Sequence, residues 1–322
     1  MNVEVVPGVH RIEAEVGGRP LYLFAFLGQR RLLLLDAGCA STVDQFIVPF
    51  LEEHGLDPGD LDVLVVTHSD LDHQGGAHLL KRANPSLWVT CGVLDIPLIS
   101  NPEALIAQRY QAYAEWHGIA PGEAALAWMR QESGGPVHVD VGWSGGELLE
   151  LGPDWTVRIL HVPGHSAGHL AVYDERSGAL FSGDCLQGSV YLGLDGSAML
   201  CPTYTHVEDY LATATQIEAL APLELHGCHW PAARGDEVAA FIAETRGYVE
   251  HVDGLVRGCL AEPLTLDALV ACVNRRLDAP WPDEIAPELV YSVHGHAERL
   301  VTAGAATSSP GHDGRLVYQE AR

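Results

Sequence analysis

Basic residues are scarce in this 322-residue chain: 18 Lys and Arg stand against 43 Asp and Glu, a formal net charge of −25 with the histidines neutral. A surface that negative repels phosphate backbones, which argues against nucleic-acid binding. Long apolar runs are missing too. The longest near the start, Leu32 to Leu35, is strand-sized, and no window approaches the ~20 apolar residues of a membrane helix. Met1-Asn2-Val3-Glu4 shows neither a basic segment nor an apolar stretch before Pro7, so no secretory leader is expected. Cysteine pairs at C-x-x-C spacing are absent: Cys39, Cys91, Cys185, Cys201, Cys228, Cys259 and Cys272 are scattered and odd in number. That argues against a disulfide framework and against zinc held by thiolates, and makes a reducing cytoplasm the expected location.

With 47% hydrophobic and 19% charged residues the chain can bury a core. Its length suits one large domain with an appendage. Gly and Pro punctuation divides the first 36 residues into short strands, and Ser41-Thr42 offers a cap for a helix reaching about His54. Leu61 to Thr67 reads as a buried strand. Residues of about 97–135 are helix-prone (Pro102 to His117, then Pro121 to Glu132) and rich in Ala, Gln, Tyr and Trp, as an insertion or lid would be. Strands are expected again at Val137 to Val141, Thr156 to Val162, His169 to Tyr173, Ala179 to Ser182 and Leu223 to Leu225. Helices are expected at about Val207 to Leu220 and Asp236 to Val252. The organisation is thus a main unit over 1–252 and a small winged-helix-like appendage over 253–322. In the appendage, helices Leu264 to Leu277 and Glu284 to Ala303 lead through a Thr307 to Gly314 turn to a strand at Arg315 to Gln319.

Histidine is what the chain has in quantity, 17 residues, and histidine is the commonest metal ligand. The decisive segment is Val66-Thr67-His68-Ser69-Asp70-Leu71-Asp72-His73-Gln74-Gly75-Gly76. In extended chain His68, Asp70 and Asp72 share one side, and His73 joins them at the turn. Four candidate ligands in six residues, followed by a tight Gly-Gly turn, suit a preformed cation site, although a solvated polar loop can share that composition. Three later segments add candidates at strand ends, where α/β proteins place their sites: Pro163-Gly164-His165, Gly183-Asp184 and His226-Gly227-Cys228-His229.

Together with Asp36-Ala37-Gly38, these segments occur in the order found in the metallo-β-lactamase-fold superfamily, which residues of about 5 to 250 resemble. The resemblance implies a four-layer αββα sandwich of α/β class with a binuclear metal site along one edge of its sheets. Carried over by residue, one metal would be held by His68, Asp70 and His165 and the other by Asp72, His73 and His229, with Asp184 bridging. Asp36 would orient ligands from behind. His229 is preferred to His226 because Pro231 follows it closely. His169 is read as a hydrogen-bonding support, and Cys185 and Cys228 as small buried side chains.

The family pattern is His-x-His-x-Asp-His, and Asp70 replaces its second histidine. The resemblance implies two divalent ions, zinc by family habit, and an added carboxylate tilts the choice toward iron or manganese. Flavodiiron oxygen reductases have Glu here, and the nuclease-like domains of DNA-uptake proteins have Asp. The leading expectation is an enzyme, a metal-dependent hydrolase that uses a metal-bridging hydroxide on a small-molecule ester, lactone or thioester. Asp72 or Asp184 would accept the proton. Tyr110, Tyr113, Trp116, Trp128 and Met129 either line a lid or form the insertion's own packing face. Lactonases of the superfamily have a Tyr where this chain has Gln187, leaving Tyr191 or Tyr204 as substitutes. The alternatives are a diiron enzyme reacting with oxygen or peroxide, for which the 70 residues after Val252 are too few to supply the expected flavodoxin domain, and a phosphodiesterase. The acidity of the chain opposes the latter, including 10 acidic against 6 basic residues from His251 to Arg322. The expected partner is a small-molecule substrate, with neither nucleic acid nor membrane. The appendage is read as a packing element or the interface of a homodimer. A metal-bearing scaffold without activity would need a lost ligand.

Overall fold

The computed structural model describes residues 3–321; Met1, Asn2 and Arg322, at the ends of the two expected units, lie outside it. Two sheets stack face to face. The first has seven strands whose spatial order follows the chain: Val3–Val6, Val9–Val16, Arg19–Leu27, Leu32–Leu35, Val63–Val66, Trp88–Gly92 and Val141–Trp143. Its first four strands pair antiparallel and the rest parallel. The second has six, ordered Ala233–Arg234, Glu224–Gly227, Ala179–Gly183, Leu170–Asp174, Trp155–His161 and Leu148–Gly152.

The two-residue period of a strand assigns the layers. Phe24 and Phe26 point between the sheets with Leu33, Leu35, Val63 and Val65, meeting Val157, Ile159, Val172 and Phe181 of the second sheet. Their neighbours Leu23, Ala25, Leu34 and Leu64 point outward into a core shared with Ile47, Phe50 and Leu80 of the flanking helices. Every residue of Val63–Val66 is buried, as expected for a strand covered on both faces. On the far side, Leu160, Leu180 and Leu225 pack under Ala214, Ile217 and Ile242 of the helices Val207–Leu220 and Asp236–Cys259. The result is the four-layer αββα sandwich.

Several local expectations change. The insertion does not hold one helix from 102 to 117. Helix Pro102–Leu105 widens into a π-helical turn at Ile106–Tyr110, breaks, and resumes at Ala114–His117. Such turns redirect consecutive side chains, and Arg109 and Tyr110 occupy this one. Helix Asp236–Cys259 runs unbroken across residue 252, so the main unit and the appendage share it. Appendage helices Leu266–Arg276 and Val290–Thr302 pack on that helix beside a three-stranded sheet of Leu264–Thr265, Leu316–Glu320 and Ala306–Pro310. The expected 307–314 turn is therefore partly strand. Cys259, at the end of helix Asp236–Cys259, and Cys272 of helix Leu266–Arg276 are disulfide-bonded, a pairing the scattered spacing hid; the other five cysteines are free and buried. The appendage is not peripheral, because Tyr113 of the insertion lies in the same apolar cluster as Val293 and Tyr318. No helix among the described residues is long and apolar enough to cross a membrane.

Candidate metal centre

The parallel strands of both sheets end at one edge, and the sequence candidates gather there. Asp36 anchors them. It leaves its strand with φ 64°, a left-handed conformation that aspartate tolerates better than most residues. Fully buried, its carboxylate accepts from the Thr67 amide at 2.7 Å, the Thr67 hydroxyl at 2.9 Å and Nδ1 of His73 at 2.9 Å. The Thr67 hydroxyl has one proton and donates it to Asp36, so toward Nδ1 of His68, 2.9 Å away, it can only accept. Nδ1 of His229 donates to the Pro20 carbonyl at 2.8 Å. His68, His73 and His229 thus all carry a proton on Nδ1 and leave Nε2 with a lone pair, the tautomer a metal ligand requires.

Those nitrogens face unpaired polar atoms. Nε2 of His68, Nε2 of His73 and Oδ1 of Asp184 are buried without a hydrogen-bond partner, and ligand atoms of these three residues lie within 4.8 Å of one another. Asp72 approaches from the open side, 3.5 Å from Nε2 of His229 and 4.0 Å from Nε2 of His73. Asp184 Oδ2 lies 3.6 Å from Nε2 of His229 and accepts from the Tyr191 hydroxyl at 3.0 Å. Its backbone N–H donates to Nε2 of His169 at 3.1 Å, and the His169 ring stacks on His68 with centroids 4.7 Å apart. One orphaned polar atom costs roughly 1–3 kcal/mol. Three such atoms gather together, and Asp72, His73 and His229 form an overlapping group whose ligand atoms also lie within 4.8 Å of one another, a donor set that fits a divalent cation.

The electrostatics agree. Burial, with neighbouring His73 and His165, pushes His68 well below the usual imidazole range. Burial also opposes charge on His73, but the Asp36 and Asp72 carboxylates outweigh it and hold the ring well above that range. For Asp184, burial pushes the carboxyl up, and His229 and His73 reverse that and hold it below the usual value. The pocket favours positive charge at its centre.

The other side of the cluster differs. Ligand atoms of His68, Asp70 and His165 also fall within 4.8 Å, yet Asp70 and His165 are already paired. Arg109 donates from Nε to Asp70 Oδ1 at 2.9 Å and from Nη2 to Oδ2 at 3.1 Å, a bidentate pair. Burial pushes the Asp70 carboxyl up, and Arg109 and His165 overcome it and hold the group well below the usual range. The Gln187 carbonyl accepts from the Thr203 amide at 2.8 Å, which turns its NH2 toward Nδ1 of His165, 2.9 Å away. Nδ1 must therefore accept, the ring proton is on Nε2, and it is donated to Asp70 Oδ2 at 3.1 Å. Asp70 and His165, carried over as ligands, are thus hydrogen-bonded in this structure: one carboxylate is held by a guanidinium, and one imidazole turns a protonated Nε2 toward Asp70.

A cavity of about 270 Å³ opens over Asp70, Asp72, Asp184 and His229. Tyr110, Trp128 and Met129 of the insertion line it, as do Ile285, Glu288 and Tyr291 of the appendage. Tyr113 and Trp116 instead line a second cavity of about 650 Å³ on the His165 side. Arg109, its guanidinium carbon 4.2 Å from the Tyr291 ring centroid, borders both. Tyr204, expected as a substitute for the lactonase tyrosine, is fully buried and directs its hydroxyl to His296 while its ring stacks on Tyr210. His226 pairs with Glu224 at 3.0 Å and stacks on Phe181. Sequence reasoning missed Arg109, Glu288 and Tyr291. For Arg109 a signal existed: an added buried carboxylate at Asp70 demands a cation.

Fold and centre define a class, the four-layer sandwiches with a His/Asp metal centre where their two sheets meet. The chain belongs to the metallo-beta-lactamase superfamily, whose sequence profile matches residues 16–229. It is 28% identical over 199 residues to the hydroxyacylglutathione hydrolase GloC of Haemophilus influenzae, covering 59% of this chain and 74% of that one. It is 35% identical over 202 residues to the acyl-coenzyme A thioesterase MBLAC2 of Gallus gallus, covering 60% and 65%. The chain spans about half the length of the hydroxyacylglutathione hydrolases of two Cupriavidus species. In fold it is similar to a metallo-beta-lactamase family protein of Thermus thermophilus, with a TM-score of 0.77, 19% identity, and coverage of 98% and 100%.

Proposed function

We propose that this chain is a metal-dependent hydrolase of small acyl substrates, with thioesters ahead of esters and lactones. The observation that carries the reading is the convergence of three unpaired buried atoms, His68 Nε2, His73 Nε2 and Asp184 Oδ1, beneath a substrate-sized cavity. Two relatives named for thioester hydrolysis support the choice of acyl bond. His68, His73, His229, Asp72 and Asp184 would hold the metal, which when bound supplies an acidified water and an electrophile for the scissile carbonyl.

The remaining roles fall to the chain itself. Asp72, at the cavity floor, accepts the proton released as water attacks. Tyr191 fixes one oxygen of Asp184, so that the other keeps its aim. Trp128, Met129 and Ile285 exclude bulk water and bound the acyl group, whose size the roughly 270 Å³ volume limits; a bulky thiol leaving group extends outside. Arg109 changes the choice of metal as well. The case for iron or manganese rested on Asp70 as a ligand, and with its charge met by Arg109 the three imidazoles and two carboxylates left are compatible with zinc. The partner is a small molecule. Net charge of −25 disfavours nucleic acid, and the Cys259–Cys272 disulfide weakens the cytoplasmic expectation.

The test is hydrolysis of short-chain acyl thioesters, esters, lactones and phosphodiesters by chelator-stripped protein before and after zinc, manganese or iron(II) is restored. Metal-dependent thioester turnover is expected, with no phosphodiester cleavage. Thioester turnover that survives metal removal contradicts the reading.

A further inference from the structure

We infer that the cluster holds a single metal ion per chain, and that the array Arg109–Asp70–His165–Gln187 stands in place of a second. The Arg109 guanidinium is then the fixed cation beside the metal. Three observations converge. His165 offers no lone pair to the centre, because Gln187, oriented by the Thr203 amide, donates to its Nδ1 and leaves the proton on Nε2. Both oxygens of Asp70 are engaged by Arg109, and one also receives that Nε2 proton. Finally, none of these four residues has a buried polar side-chain atom without a partner, whereas the His73 side has three.

A divalent ion among His68, Asp70 and His165 would have to strip a proton from His165 and sit beside a guanidinium already hydrogen-bonded to its intended ligand. Like charges at that separation repel, and in a buried site little water screens them. The His68 ring lies between the two arrangements, 4.0 Å from the His73 ring and 4.6 Å from the His165 ring, centroid to centroid. Its Nε2 has no hydrogen-bond partner and lies 3.9 Å from Asp70 Oδ2; with Asp70 and His165 paired to each other, its lone pair goes to the His73 side.

The array also has a use. A second metal in such a site polarises the substrate and stabilises developing negative charge. Arg109 borders both cavities, and among the described residues no acceptor takes its Nη1 protons. Those protons are free for the carbonyl oxygen of an acyl substrate held over Asp72, and because the guanidinium is locked by Asp70 and by the Tyr291 ring it needs no reorganisation.

The experiment is metal counting by elemental mass spectrometry on the full chain, loaded with excess zinc or manganese and desalted. The wild type and the double variant Arg109→Ala/Gln187→Glu are compared. The glutamate accepts from Nδ1–H of His165, frees its Nε2, and with Asp70 released opens the second position. One ion per chain is expected in the wild type, rising toward two in the double variant. Two in the wild type overturns the inference and leaves acyl hydrolysis standing, while none overturns both. A folded double variant that stays at one overturns the claim that the array is what excludes the second ion. If that variant does not fold, nitrogen-15 NMR of the wild-type histidines decides: a proton on Nε2 of His165 in the metal-loaded protein is expected, and one on Nδ1 overturns the inference.

Discussion

The two sides of the ligand cluster use the same residue types to opposite ends. On the His73 side, Asp36, Thr67 and the Pro20 carbonyl hold three histidines with Nε2 bare, and the inner atoms are left unpaired. On the His165 side, Gln187 and Arg109 reach inward and pair Nδ1 of His165 and both oxygens of Asp70. The supporting residue touches Nδ1 on both sides; the difference is what it brings there, an acceptor on the His73 side and a donor on the His165 side. Ligand identity alone therefore does not define a metal site; the partner behind each ligand decides whether a lone pair is offered.

Substitutions probe that contrast in descending order of effect. Asp184→Ala and His73→Ala remove inner atoms of the metal-binding side and should abolish both metal retention and turnover, as read by elemental analysis and thioester hydrolysis. Wild-type metal content in either variant would refute the assignment. Arg109→Ala leaves the Asp70 carboxylate buried beside His165, so turnover should fall about 10²–10³-fold, the usual loss of one charge-stabilising donor. A stability loss of about 3–5 kcal/mol should accompany it. Metal retention on the His73 side should survive, and its loss would show that the two sides are one site. Thr67→Val removes the acceptor behind His68 and should weaken metal affinity by about 10–100-fold, the usual range for such supports. The corresponding change at His226→Ala should leave affinity and turnover unaltered, since that ring faces Glu224 and Phe181.

A pH effect separates the cluster from the walls around it. His294, on the appendage helix, meets Tyr113 and His117 of the insertion, Tyr318 of the terminal strand and Glu298 of its own helix, 3.7 Å away. Burial pushes its ring down to about 4, with Glu298 opposing. The unfolded chain binds the proton first, so this contribution is present near neutrality and is lost as pH falls from about 6.5 toward 4. The melting temperature should drop across that window, and less so in His294→Gln. An equal drop in both proteins would remove His294 as the cause.

The His73 side of the candidate centre was largely legible in the sequence because its parts are local: His68, Asp72 and His73 follow one strand, and Asp184 and His229 each follow a strand of their own. The layer order came through the family resemblance that the ordered motifs carry. What the sequence concealed depends on contacts between distant segments. Arg109 meets Asp70 across 39 positions, presented by a π-helical turn that helix propensity reads as ordinary helix. Gln187 was noticed as a missing tyrosine, while its role follows from the Thr203 amide that orients it. Tyr204, a candidate by its place on the following loop, instead packs on Tyr210 and His296.

The most direct measurement is a crystal structure of the metal-loaded protein, with data collected at the metal's absorption edge. One anomalous peak per chain is predicted, about 2.0–2.2 Å from Nε2 of His73 and His229 and from the nearest Asp184 oxygen. Arg109 should still be paired with Asp70. A second peak at that distance from Nε2 of His165, with Arg109 displaced from Asp70, would contradict the account.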